Sequence, residues 1–385
     1  MKECIYCRKE KDDNEFTLEH IIPRFLGGAY APEVFKTHDV CRKCNSDLGL
    51  FVDAGFEKNF LVYNYLAQAA HDLFDPQNPV GHPLSCMSIA NLSPPQMQED
   101  EVCELWIGSL GEQVYWIRPK DERLYWFSGG NPRTTKTSKS RAYFLFSEQS
   151  QENPILSWCT FRDAFEGRKV KKIMCTIVDG ADPKTIGFDD PDELDLERID
   201  FFNELCSRGE TRKCQLRFYL KSDLRFMAKL SIGIAYVIFG RKVLETSYMK
   251  ELSKALWYKE GEDTTPRIKG TSAFYGRPDD FLKEFFGEKN AVTITIIPSG
   301  EGVVINLNIS NALNWTVKCA GYDDLDEEDI KPIIEGLVII LFKPLQKGIQ
   351  LTLPQFAAHK TGTSPNVALT EITSKYITRD ADLYP

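Results

Sequence analysis

Two Cys-x-x-Cys pairs fall within the first 44 residues: Cys4 with Cys7 in "ECIYC", and Cys41 with Cys44 in "CRKCN". No other feature of the 385-residue chain constrains its folding as sharply. Two intervening residues let both sulfurs of a tight knuckle face one tetrahedral ion. Two such pairs a few tens of residues apart match a four-cysteine zinc site. The other seven cysteines, at 86, 103, 159, 175, 206, 214 and 319, form no such pair. Ordinary buried thiols are the plain alternative, and the clustering of both pairs at one end speaks against it. The segment around them is dense in Cys, His and Asn and short of apolar runs, so it needs a metal to hold it together.

Composition bounds the remainder. With 42% hydrophobic and 27% charged residues the chain is globular, and it is long enough to bury a large core without disulfides. A formal net charge of −9 argues against a surface made throughout for polyanions, while leaving room for a local basic groove. No stretch reaches the roughly 18–20 apolar residues of a membrane span. The nearest, "LSIGIAYVIFG" at 230–240, is flanked by Lys229, Arg241 and Lys242 and reads as a buried helix. The first residues lack the apolar core of a signal peptide. The expected compartment is therefore the cytoplasm, with no membrane partner, where cysteines serve mostly as thiols or metal ligands.

Apolar spacing predicts a helix over 54–74. Residues 75–96, rich in Pro, Asn and Ser, read as a linker. Short alternating runs at 104–108, 112–119 and 123–130 read as an antiparallel meander, and 142–147 and 171–180 continue the strand character. Helices are expected over 189–205, over 223–239 with Ser222 as cap and Gly240 as stop, and over 245–259. Residues 214–220 read as a strand. Residues 291–310 read as a strand pair across a glycine turn, followed by strands at 313–319, 336–343 and 348–354.

Between the cysteine pairs stands "LEHIIPRFLGG", 18–28, which sets Glu19 beside His20. Strand neighbours point to opposite faces, so the two converge on one target only at a strand end or bulge. A surface Glu and a half-buried His would be the plain reading of the dipeptide alone. Bracketed by the two pairs, and with Asn45 directly after Cys44, the set reads as a site. For Asn45 the plain alternative is satisfaction of helix-start N–H groups.

The pattern C-x2-C … EHIIPRFLGG … C-x2-CN, residues 4–53, resembles the HNH, or ββα-metal, nuclease family. It is closest to the zinc-stabilised subgroup that includes phage junction-resolving endonucleases and restriction-type enzymes. The resemblance implies a β-hairpin and a helix enclosing one divalent ion, with four cysteines clamping hairpin to helix. By position, His20 resembles the general base that activates water for attack on phosphorus. Glu19, where the family more often has Asp, and Asn45 resemble the ligands of a catalytic Mg²⁺ or Mn²⁺. The chemistry suits these residue types: a neutral imidazole takes a proton near pH 7, hard oxygens hold the catalytic ion, and soft thiolates hold Zn²⁺ separately. Pro23, Gly27 and Gly28 would shape the hairpin turn. The family's central Asn is missing from "VFKTHDV", 34–40. Either His38 or Asp39 takes over its bracing or the brace is lost, and His38 is also a candidate supporting ligand. Asp53 could contribute late in the helix, with a solvated helix residue as the plainer reading.

Outside this segment, residues 111–172 hold 12 Lys and Arg against 7 Asp and Glu. The loop "NPRTTKTSKSR", 131–141, suits phosphates, and Trp116, Tyr125 and Trp126 could stack bases. Arg24, Arg133, Lys136, Lys139 and Arg141 are thus the candidate nucleic-acid contacts, against the plain reading of a solvated loop and core aromatics. The expected fold class is α+β: a zinc-stabilised ββα-metal module over 1–55, a helix and linker over 56–96, and a large mixed α+β domain over 97–385 with a subdomain break near 180–210. The expected function is a metal-dependent HNH endonuclease acting on DNA, in restriction or phage defence by analogy, with the C-terminal region for recognition or regulation. One alternative is a non-catalytic zinc-ribbon module that binds nucleic acid or protein. Another is an HNH effector activated by a nucleotide signal. Duplex breaks would call for a homodimer, because HNH modules often nick one strand each. A small-molecule or protein activator stays open.

Overall fold

The computed structural model describes residues 1–90, 92–120, 140–167, 169–176, 182–208, 221–259, 266–275 and 280–374. The architecture is mixed α+β. The chain divides into two compact units, one formed by Met1–Glu57 with Tyr219–Pro385 and the other by Lys58–Phe218. The first unit is discontinuous, a partition distinct from the linear division set out above.

In the first unit, β1 (Lys2–Glu3) pairs antiparallel with β2 (Glu10–Lys11) and closes the first cysteine knuckle. Within it the Cys4 N–H donates to the Lys9 carbonyl at 3.1 Å and the Arg8 N–H to the Cys4 carbonyl at 2.9 Å. Strand β3 (Phe16–His20) runs antiparallel to β4 (Lys36–Cys41). Thr17 faces Val40 but Glu19 faces Thr37, so β4 carries one extra residue across that step, a β-bulge. Helix α1 (Arg42–Leu48) leads through a π-helical stretch, Gly49–Asp53, into α2 (Ala54–Glu57). The helix expected over 54–74 is therefore broken after Glu57.

The second unit begins with α3 (Phe60–Asp72), where the Asn59 side chain accepts from the Leu61 N–H. Next come β5 (Ser85–Ile89), β6 (Glu101–Ile107), β7 (Gln113–Pro119), β8 (Ser140–Leu145), α4 (Glu148–Glu152), α5 (Pro154–Ala164), β9 (Val170–Met174) and α6 (Glu193–Ser207). The sheet order is β5-β6-β7-β8-β9, antiparallel except for the parallel β8–β9 pair. Alternation sends Trp106, Trp116, Ala142 and Phe144 to one face with Phe161 of α5, and Leu105, Tyr115, Ile117 and Tyr143 to the other with Phe202 of α6. Helices thus cover both faces, and Trp116 is core rather than a stacking platform. Strand β5 corrects the expectation of a plain linker over 75–96. Its five residues are ordered by pairing with β6, which the Pro- and Ser-rich flanks do not reveal. The stretches 123–130 and 214–220, expected as strands, lie outside the described residues.

The first unit resumes with α7 (Ser222–Phe239) and α8 (Ser247–Leu256). Ser222 is the first helical residue of α7; the capping position belongs to Lys221, which makes no side-chain cap bond. Gly240 ends the helix at φ +75°, a conformation that favours glycine. Then follow β10 (Gly270–Thr271), α9 (Asp280–Phe285), β11 (Val292–Ser299), β12 (Gly302–Ile309), β13 (Leu313–Gly321), α10 (Glu327–Ile330), β14 (Leu337–Phe342), β15 (Lys347–Thr352) and α11 (Leu353–Lys360). These strands form an antiparallel sheet in the order β10-β13-β12-β11-β14-β15. Helices α7 and α8 pack on β13. Phe56 of α2 meets Trp315 of β13 at 5.1 Å between ring centroids, so α2 joins this core. Among the described residues no helix is long and apolar enough to cross a membrane.

Candidate functional site

The four expected thiols converge. The Sγ atoms of Cys4, Cys7, Cys41 and Cys44 all lie within 4.8 Å of one another. A tetrahedral ion with metal–sulfur bonds near 2.3 Å needs sulfurs about 3.8 Å apart, so the set fits such an ion. The first pair comes from the knuckle between β1 and β2. The second straddles the start of α1, where the Cys41 sulfur caps the helix by accepting from the Cys44 N–H at 3.5 Å. The Cys41 N–H in turn donates to the Cys4 sulfur at 3.4 Å. A hydrogen bond from the Cys44 thiol, with help from backbone N–H groups, brings the Cys4 pKa down to about 4. Burial pushes Cys7 up.

His20 ends β3 and is half-buried. Its Nδ1 lies 3.4 Å from the Gly28 carbonyl oxygen. Three short 3-10 turns, Arg24–Leu26, Gly28–Tyr30 and Glu33–Phe35, bring that carbonyl back to the strand. Gly27 takes φ +93° to allow the reversal, and a Cβ on Gly28 would lie 1.6 Å from the Ile22 carbonyl oxygen. Both glycines expected to shape the turn therefore do so. Burial lowers the His20 pKa; the Gly28 bond opposes this, and the nearby Arg24 and Lys36 charges add to it. Arg24 is exposed beside the imidazole.

Glu19 points the other way. Its carboxylate is 4% exposed and lies 3.0 Å from the Lys229 Nζ of α7. Asp53, at the end of the π-helical stretch, approaches the same ammonium at 2.6 Å. Burial raises the pKa of both acids. Burial also pulls Lys229 down, but the two carboxylates outweigh it and hold the ammonium above its ordinary range. Asp53 is thus not the solvated helix residue its position suggested. Despite the adjacent bulge, Glu19 and His20 keep the opposite faces of a regular strand and do not converge.

Asn45 lies one residue past the first three of α1, so it does not cap the helix. Its Nδ2 donates to the Leu18 carbonyl at 2.9 Å and to the Thr17 hydroxyl at 3.1 Å, pinning α1 to β3. His38 is exposed on the bulged strand. Asp39 accepts from the Thr37 and Tyr236 hydroxyls and pairs with Lys2. Of the candidate nucleic-acid contacts outside this segment, the Arg141 guanidinium is taken up by Asp192 and Asp195 of the second unit. Arg133, Lys136 and Lys139 lie outside the described residues. The sequence reading missed Lys229 and the flanking charge of Lys36.

A hard divalent ion does not fit the expected donor pair as it stands. The Glu19 carboxylate already faces an ammonium on the buried side of β3, whereas the Asn45 hydrogen bonds to the hairpin use only its Nδ2. The thiol cluster is the group that fits a metal.

Residues 4–61 match the model of a family described as HNH endonuclease. The match begins at the first cysteine and runs past α2, somewhat beyond the expected end at 53. No curated protein and no solved structure matches the chain. The N-terminal segment is therefore of HNH endonuclease type, which suggests nuclease activity in general; residues 62–385 lie outside the match.

Proposed function

We propose that the HNH segment hydrolyses phosphodiester bonds of DNA with His20 as general base. The His20–Gly28 hydrogen bond carries this reading. A carbonyl oxygen only accepts, so Nδ1 carries the proton of that bond, and the Nε2 lone pair is left to take a proton from water. Burial favours the neutral, competent imidazole. Exposed Arg24 offers positive charge to the phosphate that water would attack, while Lys36 is paired with Glu33. The four thiolates would hold Zn²⁺ in a closed site, which clamps α1 to the first knuckle and leaves no open position for a reacting water. HNH nucleases generally work with a metal ion, and Mg²⁺ or Mn²⁺ is the ion in this reading. Recognition or control by residues outside the HNH segment, and a setting in restriction or phage defence, follow by analogy only.

The test is cleavage of supercoiled plasmid by the zinc-loaded protein and by His20→Ala, in EDTA, Mg²⁺ or Mn²⁺. Nicking that needs both metal and His20 is the expected result. Folded, zinc-loaded protein that leaves plasmid and modified phage DNA intact in every metal would overturn it. The engagement of Glu19 by Lys229 favours one other reading, a non-catalytic binding module. In that case wild type and His20→Ala would bind DNA or a protein equally and neither would cut.

A further inference from the structure

Helix α7 presents Phe226, Lys229, Gly233 and Tyr236 to the HNH segment, at steps of three, four and three residues that fall on one helix face. Phe226 stacks on Phe56 at 4.0 Å and tilts against Phe25 at 5.7 Å. Gly233 lets the helix come so close that an added Cβ would lie 2.7 Å from the Ile21 side chain. The Tyr236 hydroxyl donates to Asp39. At the centre of this face Lys229, 2% exposed, is held between Asp53 and Glu19, with the Tyr6 ring 6.0 Å away. Two carboxylates share one ammonium, and Asp53 Oδ1 is buried without a hydrogen-bond partner. Such a cluster persists only if its charges stay together, because a buried charge without its counterpart is strongly unfavourable. The Lys229 ammonium, 3.0 Å from Glu19, competes with any divalent ion for the same buried carboxylate.

We propose that Glu19 in this protein is not a ligand of the catalytic divalent ion but one arm of a buried Glu19–Lys229–Asp53 cluster, through which Lys229 positions the strand that ends in His20. Lys229 is a positioning residue: it acts on His20 through Glu19 and touches no substrate. The role assigned to His20 rests on the nuclease reading above; the denial of metal ligation by Glu19 does not. The consequence is that a helix outside the matched residues 4–61 completes the HNH segment.

The experiment titrates Mn²⁺ into the zinc-loaded full chain and follows free Mn²⁺ by electron paramagnetic resonance, for wild type, E19Q and K229M. E19Q is expected to bind Mn²⁺ as wild type does. K229M, which strips the cation from the acid pair, is expected to gain Mn²⁺ affinity by about tenfold or more, since carboxylate charge sets the affinity of such sites. Weakened Mn²⁺ binding in E19Q, or no gain in a folded K229M, would overturn the proposal. If K229M does not fold, E19Q decides alone. Plasmid cleavage in parallel keeps the two readings apart. A wild type that never cuts removes the nuclease reading, while the Mn²⁺ titration still reports on the cluster. Where wild type cuts, K229M should lower kcat without raising KM for DNA, and K229R should restore part of the loss. Equal loss in K229R and K229M would contradict positioning by charge.

Discussion

The Nδ1 atom of His20 and the carbonyl oxygen of Gly28, eight residues apart, lie 3.4 Å from each other across the turn that follows β3. That contact sets the tautomer of the imidazole, and Gly28 is the residue that permits it. His20→Ala should cut the cleavage rate by about 10²–10⁴-fold, the usual worth of a general base, with zinc content and the unfolding midpoint unchanged. Gly28→Ala must move the loop, because its Cβ would overlap the Ile22 carbonyl oxygen at 1.6 Å. The cost should be about 1–3 kcal/mol of stability, together with most of the activity. Plasmid nicking and urea denaturation measure both. A Gly28→Ala protein with full activity would remove the carbonyl from the mechanism.

The pH dependence follows from the burial of His20. Its pKa is lowered in the folded protein, first by desolvation and then by Arg24 and Lys36. The competent base is the neutral form, so cleavage should rise with pH to an inflection below the ordinary His value of about 6.5 and be flat from there through pH 7. Stability moves in the same direction. Between the lowered folded pKa and the ordinary unfolded one, the unfolded chain binds more protons, so this contribution is lost as pH falls through that window. Single-turnover rates from pH 5 to 8 check the first part. An inflection above 6.5 would mean that another group titrates in the rate.

Removal of the metal should act locally. Cys44→Ser takes away both a ligand and a thiol buried at the start of α1. We expect the loss of one equivalent of zinc and faster proteolysis within residues 1–57, since site formation and folding are coupled in such centres. The second unit, with its own core on both faces of the sheet, should keep its fold. Metal analysis and limited proteolysis with peptide mapping check this. Retention of zinc with three thiols would assign the clamp to fewer ligands.

What the sequence disclosed here was local. The cysteine spacing anticipated the thiol cluster, and the two glycines anticipated the turn that returns a carbonyl to His20. Both are set by residues a few positions apart. The Lys229–Asp53 pair spans 176 residues, and no local pattern encodes it. One signal was present even so: Lys229 is the single charge in the run from Phe226 to Phe239. A charge at the centre of a buried helix needs a partner acid, which could have prompted a search for one. Arg141 illustrates the opposite error. It ends a basic loop in sequence, yet two acids at the start of α6 absorb its charge. β5 was hidden by its Pro- and Ser-rich flanks and becomes a strand only by pairing with β6.

The role of Asn45 can be decided by one conservative change. Its amide nitrogen donates twice to β3, at 2.9 and 3.1 Å. Asn45→Asp keeps the shape but replaces the donors with acceptors that face the Leu18 carbonyl. If the amide is only a brace, Asn45→Asp should be less stable than wild type by about 0.5–1.5 kcal/mol, the net worth of a part-exposed hydrogen bond. Asn45→Ala should be milder, because it leaves acceptors unpaired without adding a charge. If Asn45 instead held the catalytic ion, the added charge of Asp should preserve or tighten Mn²⁺ binding, and Ala should be the more damaging change. Urea denaturation and Mn²⁺ titration of the two variants give opposite rank orders under the two roles. The hydrogen bonds in this structure predict that Asp is the worse substitution by stability.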